Sequence, residues 1–528
     1  MRFTHRCCAT GAAAVALVLH GACLPSVASV ASVTADKPDL SRFYKQRIKW
    51  STCEGMEIPK DLRCGKVTVP LDYERPGAGT LELAMARYQA TGREKRGSVL
   101  LNFGGPGGAG VPALAYGGKD FMGLTNAYDV VTFDPRGVGR SSPVSCGEGA
   151  DKAIEAADNE DQANNPGAAL RQLKRAADTC TKHSGPVLPH IGTVNAAKDM
   201  DVMRAALGDK KLNYLGFSYG SRLGAVYAAQ FPDKVGRMAF DGVDTLTEPL
   251  TEQGMVGAEG QQTALEGYLD ACTKQWTCPF GQDRRSAREQ VIELVNTLDE
   301  HPLTAFGRKF TGQDLAGAIG QALYTEQMWP VLTQALTALV RDGDPQALMQ
   351  LAGGGIAAPD EPRPDETGDG GLVSAEDVPA DNLPAALMAI NCADDPDRPS
   401  AARMTERVAR LRAQYEEASP VFGQYRLTQV LMCYGRPKGT SFVREKVRDV
   451  DTPKMLLVGT RGDPATPYRW TVETAERLGS SAVVLDNKGE GHTGYGSSKC
   501  VHEKVDDFLM YGSLPADGSS CGSDDDND

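Results

Sequence analysis

Two spacings of apolar residues divide this chain. Short apolar runs at 66–73, 81–89, 98–103, 129–134, 212–217, 237–243, 454–459 and 481–486 predict eight strands. The later runs are apolar without alternation, as expected of parallel strands covered on both faces. Helical spacing follows at 195–207, 222–231, 471–478 and 501–511. Strands alternating with helices predict an α/β protein with an eight-stranded, mostly parallel, doubly wound sheet. Roughly 200 residues separate the sixth and seventh runs, far more than a loop holds. Residues 254–350 and 386–418 have helical periodicity, while 353–385 are rich in Gly, Pro and acidic residues and read as a mobile connection. Residues 251–450 are therefore expected to form an inserted, mainly helical cap between core segments 36–250 and 451–515.

The two ends read differently. Residues 1–35 have a basic start (Arg2, His5, Arg6), a short apolar core from Ala12 to Leu19 and small residues at Ala22, Ala28 and Ala31, the pattern of a secretory leader. Leu19-His-Gly-Ala-Cys23 approaches a lipid-attachment site, with its Leu one position too far from the Cys. A lipid-anchored or cell-wall-associated form is thus the alternative to free secretion. Residues 516–528 read as an acidic, solvated tail. The formal net charge of −13 argues against nucleic acid or an anionic membrane surface as partner. No other segment is long and apolar enough to span a bilayer.

Cysteine usage fits export. Of 13 cysteines, Cys7, Cys8 and Cys23 fall in the leader, leaving an even set of ten. Proximity along the chain pairs 53 with 64, 146 with 180, 272 with 278, 392 with 433, and 500 with 521. No C-x-x-C pair occurs among them, so no zinc site is expected, and no cofactor is implied.

The chemistry enters at Gly216-Phe-Ser218-Tyr-Gly220, between the fifth strand and a helix. Gly-x-Ser-x-Gly in that context is the nucleophile elbow of an α/β-hydrolase, in which acid and then His follow Ser in chain order. His5 and His20 lie in the leader, His183 and His190 precede the Ser, and His301 follows no strand. His492, in the flexible Gly-Glu-Gly-His-Thr-Gly after the eighth strand, is read as the base; His502 is read as a helix-surface residue. Asp463 follows the seventh strand and is read as the acid that orients His492. The oxyanion donors are expected to be the N–H groups of Tyr219 and of Gly105, in the Gly104-Gly-Pro-Gly-Gly loop after the third strand. That loop lacks the Gly-Lys-Ser/Thr ending of a phosphate-binding loop.

With these pieces in place the chain resembles the secreted bacterial tripeptidyl aminopeptidases, within the prolyl-aminopeptidase-like serine peptidases. The shared marks include Cys64-Gly-Lys-Val-Thr-Val-Pro-Leu-Asp-Tyr73, Asn102-Phe-Gly-Gly-Pro-Gly-Gly108, Phe133-Asp-Pro-Arg-Gly-Val-Gly139, Leu212-Asn-Tyr-Leu-Gly-Phe-Ser-Tyr-Gly220, Ala389-Ile-Asn-Cys-Ala-Asp394, Asp463-Pro-Ala-Thr-Pro467 and Gly491-His492. The resemblance implies release of tripeptides from free N-termini of peptides or proteins. An aminopeptidase must recognise an ammonium group, which calls for a carboxylate. Asp394 is the candidate, although an Asp beside Asp395 and Pro396 also suits a helix cap or turn. The competing readings are a secreted esterase or amidase using the same triad and, less in keeping with an intact triad, an inactive adhesion domain.

Overall fold

A computed structural model describes residues 38–53, 58–147, 166–352 and 371–522. The expected leader, residues 353–370 of the Gly- and Pro-rich connection and residues 523–528 lie outside them. In chain order the strands are β1 (Ser51–Thr52), β2 (Arg63–Pro70), β3 (Thr80–Tyr88), β4 (Ser98–Asn102), β5 (Asp129–Phe133), β6 (Leu212–Phe217), β7 (Val235–Asp241), β8 (Leu303–Ala305), β9 (Arg308–Phe310), β10 (Met455–Gly462), β11 (Ala482–Glu490) and β12 (Ser519–Cys521). All eight expected strands are among them. Ten form one sheet in the order β1-β2-β3-β5-β4-β6-β7-β10-β11-β12, and β8 and β9 make a separate hairpin. The three pairings from β1 to β5 are antiparallel and the remaining six are parallel.

Both faces of this sheet are covered, which explains the unbroken apolar runs. Along β4, Leu100 joins one hydrophobic cluster while Val99 and Leu101 join the other. Along β10, Leu457 faces the first and Leu456 and Val458 the second. The crossover helices lie where periodicity placed them, at Thr193–Leu207, Tyr219–Gln230, Tyr468–Leu478 and Lys499–Tyr511. Arg136, a fully buried guanidinium in the Asp134-Pro-Arg-Gly turn, binds Asp199 at 2.7 and 2.6 Å and the carbonyls of Pro70, Leu71 and His190. With its charge and donors matched, its role is structural, because a buried cation is tolerated only when paired and hydrogen-bonded.

Between β7 and β10 the described chain is mainly helical. Leu250–Thr273, Arg284–Glu300, Gly312–Ala322 and Trp329–Asp342 enclose their own apolar core, including Leu265, Val291, Ile319 and Leu336. The helix Asn382–Asp394 behaves differently. Its Ala386 and Ile390 pack with the sheet-side cluster. The Asn382 side chain donates to the carbonyls of Gly137 and Val144 and accepts from Gly139 N–H. That helix is thus bolted to the β5 turn, and the Cys392–Cys433 disulfide ties it to the later part of the inserted region. No helix of the described residues is long and apolar enough to cross a membrane.

The five disulfides are 53–64, 146–180, 272–278, 392–433 and 500–521, the pairs that chain proximity indicated. Thiol titration of denatured, unreduced protein lacking residues 1–37 is therefore expected to find no free thiol. Reduction is expected to lower Tm, since losing one native disulfide costs about 2–5 kcal/mol. One or more reactive thiols per chain would contradict the pairing.

Candidate active site

Ser218 sits on the turn between β6 and the helix Tyr219–Gln230 with φ 56° and ψ −125°, a left-handed-side conformation that L-residues adopt only under strain. The turn is too tight for side chains on its flanks: a Cβ on Gly220 would meet the Asn102 carbonyl oxygen at 2.8 Å. Ser218 N–H donates to the Asp241 carbonyl at 2.9 Å, and the Ser221 hydroxyl donates to the Ser218 carbonyl at 2.6 Å. With its backbone tied down, the Ser218 hydroxyl itself makes no hydrogen bond among the described residues.

The loop after β4 lies directly against this turn. Gly104 has φ +86°, and a Cβ there would meet the Phe217 carbonyl oxygen at 2.5 Å and Ser218 Cβ at 2.9 Å. The loop closes on itself through Gly108 N–H to the Gly104 carbonyl at 3.1 Å. Neither Gly105 N–H nor Tyr219 N–H, the latter in the first turn of its helix, has an acceptor among the described residues. Two free donors beside a strained Ser are what an oxyanion hole requires. Phe103, next to Gly104, and Phe217, next to Ser218, form an aromatic cluster with Phe121 and Tyr495, partly stacked and partly edge to face, with ring centroids 5.5–6.1 Å apart.

Asp463 and His492 are in contact. His492 Nδ1 lies 2.9 Å from both oxygens of the carboxylate. Asp463 is 1% exposed and fully committed. Oδ1 accepts Ala465 and Thr466 N–H at 2.8 Å each, and Oδ2 accepts the Thr466 hydroxyl at 2.9 Å and Thr493 N–H at 3.2 Å. These donors fix the plane of the carboxylate and hence the imidazole tautomer, with the proton on Nδ1. Burial pushes the His492 imidazole pKa down, but the charge and hydrogen bond of Asp463, aided by the charges of Asp241 and Asp244, more than offset it, and the net shift is upward. His492 N–H donates to the Tyr324 carbonyl at 2.8 Å, and the two rings meet edge to face at 5.2 Å. A residue from the inserted helical region thereby holds the base.

Asp394 has partners of its own within the chain. It is buried; Oδ1 accepts Thr193 N–H at 3.0 Å, Oδ2 accepts the Thr193 hydroxyl, and Arg222 lies 3.9 Å away. It caps the Thr193–Leu207 helix and faces a guanidinium, so it is not open to a second cation. His502 is not a plain surface residue either. Its Nδ1 lies 3.1 Å from the Tyr495 carbonyl, and its ring stacks on Tyr495 at 4.1 Å. Sequence reasoning overlooked Thr466, Asp241, Tyr324 and Glu490. Thr466 carries a usable signal, a hydroxyl three residues past an Asp-Pro. So does Asp241, a carboxylate ending an apolar strand. Tyr324 carries none, since only the fold brings it to the site.

A strained Ser at a strand–helix turn, two backbone N–H groups without acceptors among the described residues, and an Asp–His pair at the ends of the adjacent strands β10 and β11 define a serine hydrolase of the α/β-hydrolase fold. The TAP-like protein family matches residues 419–521. The chain is 33% identical to serine protease Hip1 of Mycobacterium tuberculosis over 96% of both chains. It is 32% identical to the tripeptidyl aminopeptidase of Streptomyces lividans, over 91% of this chain and 88% of that one. It is also 30% identical to carboxylesterase B of Mycobacterium tuberculosis over 89% of both. The chain belongs to this tripeptidyl-aminopeptidase-like family of serine hydrolases.

Proposed function

We propose that this enzyme is an exported serine exopeptidase that releases short peptides, tripeptides foremost, from free N-termini. The observation that carries the acyl-transfer chemistry is the Asp463–His492 pair, with the imidazole held by a carboxylate whose every lone pair is directed. It stands at the same sheet edge as the strained Ser218. In the reaction the Ser218 hydroxyl attacks the scissile carbonyl carbon and gives its proton to His492 Nε2. The oxyanion forms against the N–H groups of Gly105 and Tyr219. As the C–N bond breaks, His492 returns the proton to the leaving amine. Water then hydrolyses the acyl-enzyme with His492 again as base. The relatives named serine protease and tripeptidyl aminopeptidase support peptide substrates, and the five disulfides support an oxidising compartment.

An exopeptidase needs a partner for the substrate ammonium, and Glu490 suits it better than Asp394. Glu490 ends β11, two residues before His492, so the two Cα atoms are at most about 7 Å apart. Its Oε2 is buried without a hydrogen-bond partner among the described residues. Burial, and then the charges of Glu326 and Asp270, push its carboxyl up to about 7. A Cβ on Gly267 would meet Oε1 at 2.7 Å, so that glycine leaves room for the carboxylate under the helix Leu250–Thr273. A cation delivered there relieves an uncompensated acid. Losing a charge-assisted hydrogen bond is worth about 1.5–3 kcal/mol. Glu490→Gln is therefore expected to raise KM for free-amine peptides by about 10- to 100-fold and to leave kcat nearly unchanged.

The test of the function is a set of matched peptides, free and N-acetylated, with products read by mass spectrometry. Tripeptide release from the free set alone is the expected result. Equal cleavage of both sets would overturn the exopeptidase reading. Preference for small acyl esters over peptides would favour the esterase alternative that the carboxylesterase B relative keeps open.

A further inference from the structure

We propose that Asp241 is a positioning residue that holds the loop carrying His492 in register with the turn carrying Ser218. The proposal rests on the triad reading of the site. Asp241 ends β7, is fully buried and reaches both sides. Its carbonyl oxygen accepts Ser218 N–H at 2.9 Å. Its carboxylate accepts Gly494 N–H at 2.9 and 3.0 Å through its two oxygens, and Tyr495 N–H at 2.7 Å through Oδ2. One residue thus binds the backbone of the nucleophile and, two and three positions beyond His492, the backbone of the base's loop.

The sheet explains why this position matters. β7 lies between β6, which leads to Ser218, and β10, which leads to Asp463 and pairs onward with β11, which leads to His492. The strand that carries none of the three is the one between them. Gly242, next in the chain, has φ +66°, and a Cβ there would stand 3.3 Å from His492 Cε1 and 3.0 Å from the Thr466 hydroxyl oxygen. The end of β7 is therefore the surface on which the imidazole rests. Two residues further, Asp244 N–H donates to the Ser221 hydroxyl at 2.8 Å, fastening the same segment to the helix after Ser218.

A charged carboxylate here does more than hold a loop. No Lys or Arg pairs with it among the described residues. The ionisable groups that face it are Asp463 and His492, with Tyr495 beside them. Burial and the Asp463 charge push Asp241 up and the N–H groups of Gly494 and Tyr495 and the His492 charge pull it down, leaving it raised to about 6. The cation that forms next to it is the His492 imidazolium, generated at each proton transfer. Removing the Asp241 charge should therefore make His492 less basic, which a purely structural role does not predict.

The test is Asp241→Asn and Asp241→Ser, assayed for kcat and KM on a free-amine peptide across pH. Asn keeps the shape but turns an NH2 toward donor-only backbone groups. Ser is small, can accept from Tyr495 N–H and carries the test if the Asn variant folds poorly. The expected result is a fall in kcat of about 10- to 100-fold, as for a misplaced catalytic group, with KM little changed. The acid limb of kcat/KM should move to lower pH. Wild-type kcat in both variants, or a loss of kcat with the acid limb unmoved, would overturn the proposal. Neither result touches the triad reading, which stands or falls on Ser218 itself.

Discussion

Ser218→Ala should abolish turnover and leave the fold intact. Loss of a triad member costs on the order of 10⁴ to 10⁶ in kcat, the remainder coming from the oxyanion donors and binding. Stability should change little, because the Ser218 hydroxyl makes no hydrogen bond among the described residues and what locks the turn is backbone: Ser218 N–H to Asp241 and the Ser221 hydroxyl to the Ser218 carbonyl. Replacing a strained Ser by Ala also keeps the Cβ that the turn already accommodates. His492→Ala should lose activity to a similar degree. His502→Ala should keep it, with a modest loss of stability from the stacking on Tyr495. The measurements are kcat on a free-amine peptide and Tm for all three. Activity within tenfold of wild type in Ser218→Ala would remove it as the nucleophile. A dead His502→Ala beside an active His492→Ala would exchange the bases.

Periodicity carried most of the core and little of the site's surroundings. The inner parallel strands β4, β5, β6 and β7 were legible because they are largely buried on both faces, so the apolar run itself is the strand, while β2 shows alternation, with Val67 and Val69 buried and Lys66 exposed. The edge strands were not. β1 has two residues and β12 three, too short for any period, and each is pinned by a disulfide. Cys53 follows β1 and bonds Cys64 on β2, while Cys521 ends β12 and bonds Cys500. Residues 519–521, read as part of an acidic tail, are thereby drawn into the sheet beside β11. At the far ends of β10 and β11 the polar Thr460, Arg461, Asn487 and Lys488 suggest loop. Cross-strand bonds extend them instead: Arg461 to Asp486 at 2.8 Å twice, and Asn487 to the Thr460 hydroxyl at 3.0 Å. Ser218, Asp463 and His492 were legible as an ordered motif on strand ends. What holds them was not. Tyr324 and Asp241 lie over 160 residues from His492 along the chain: nothing local marks the Tyr324 carbonyl, and the carboxylate ending an apolar run marks Asp241 without telling which loop it holds. Asp394, the expected ammonium partner, is held by groups far away in sequence, the Thr193 N–H and hydroxyl and the Arg222 guanidinium.

The acid of the triad gives the second large effect. Asp463→Asn should lower kcat by on the order of 10⁴, and the hydrogen bonds around it say why an isosteric change is so costly. The Oδ1 position receives two backbone N–H groups, from Ala465 and Thr466, which can only donate. An Asn amide must therefore put its oxygen there. Its NH2 then takes the Oδ2 position, where the Thr466 hydroxyl can turn to accept but the Thr493 N–H and His492 Nδ1–H, which pointed there, meet a donor. The imidazole adopts the other tautomer, with its proton on Nε2, and cannot take the proton of Ser218. The pH profile should change as well. The wild-type acid limb is expected above the ordinary imidazole value of about 6.5, because the Asp463 charge outweighs the effect of burial on His492. The base works unprotonated, so activity rises as pH climbs through that value. Without the Asp463 charge, burial wins, and the limb of the residual activity should fall to lower pH. Asp463→Ala, which leaves Nδ1 without a forced donor, should be no worse than Asp463→Asn despite removing more of the side chain. A loss smaller than tenfold in Asp463→Asn, or an acid limb unchanged in both variants, would mean that another group orients His492.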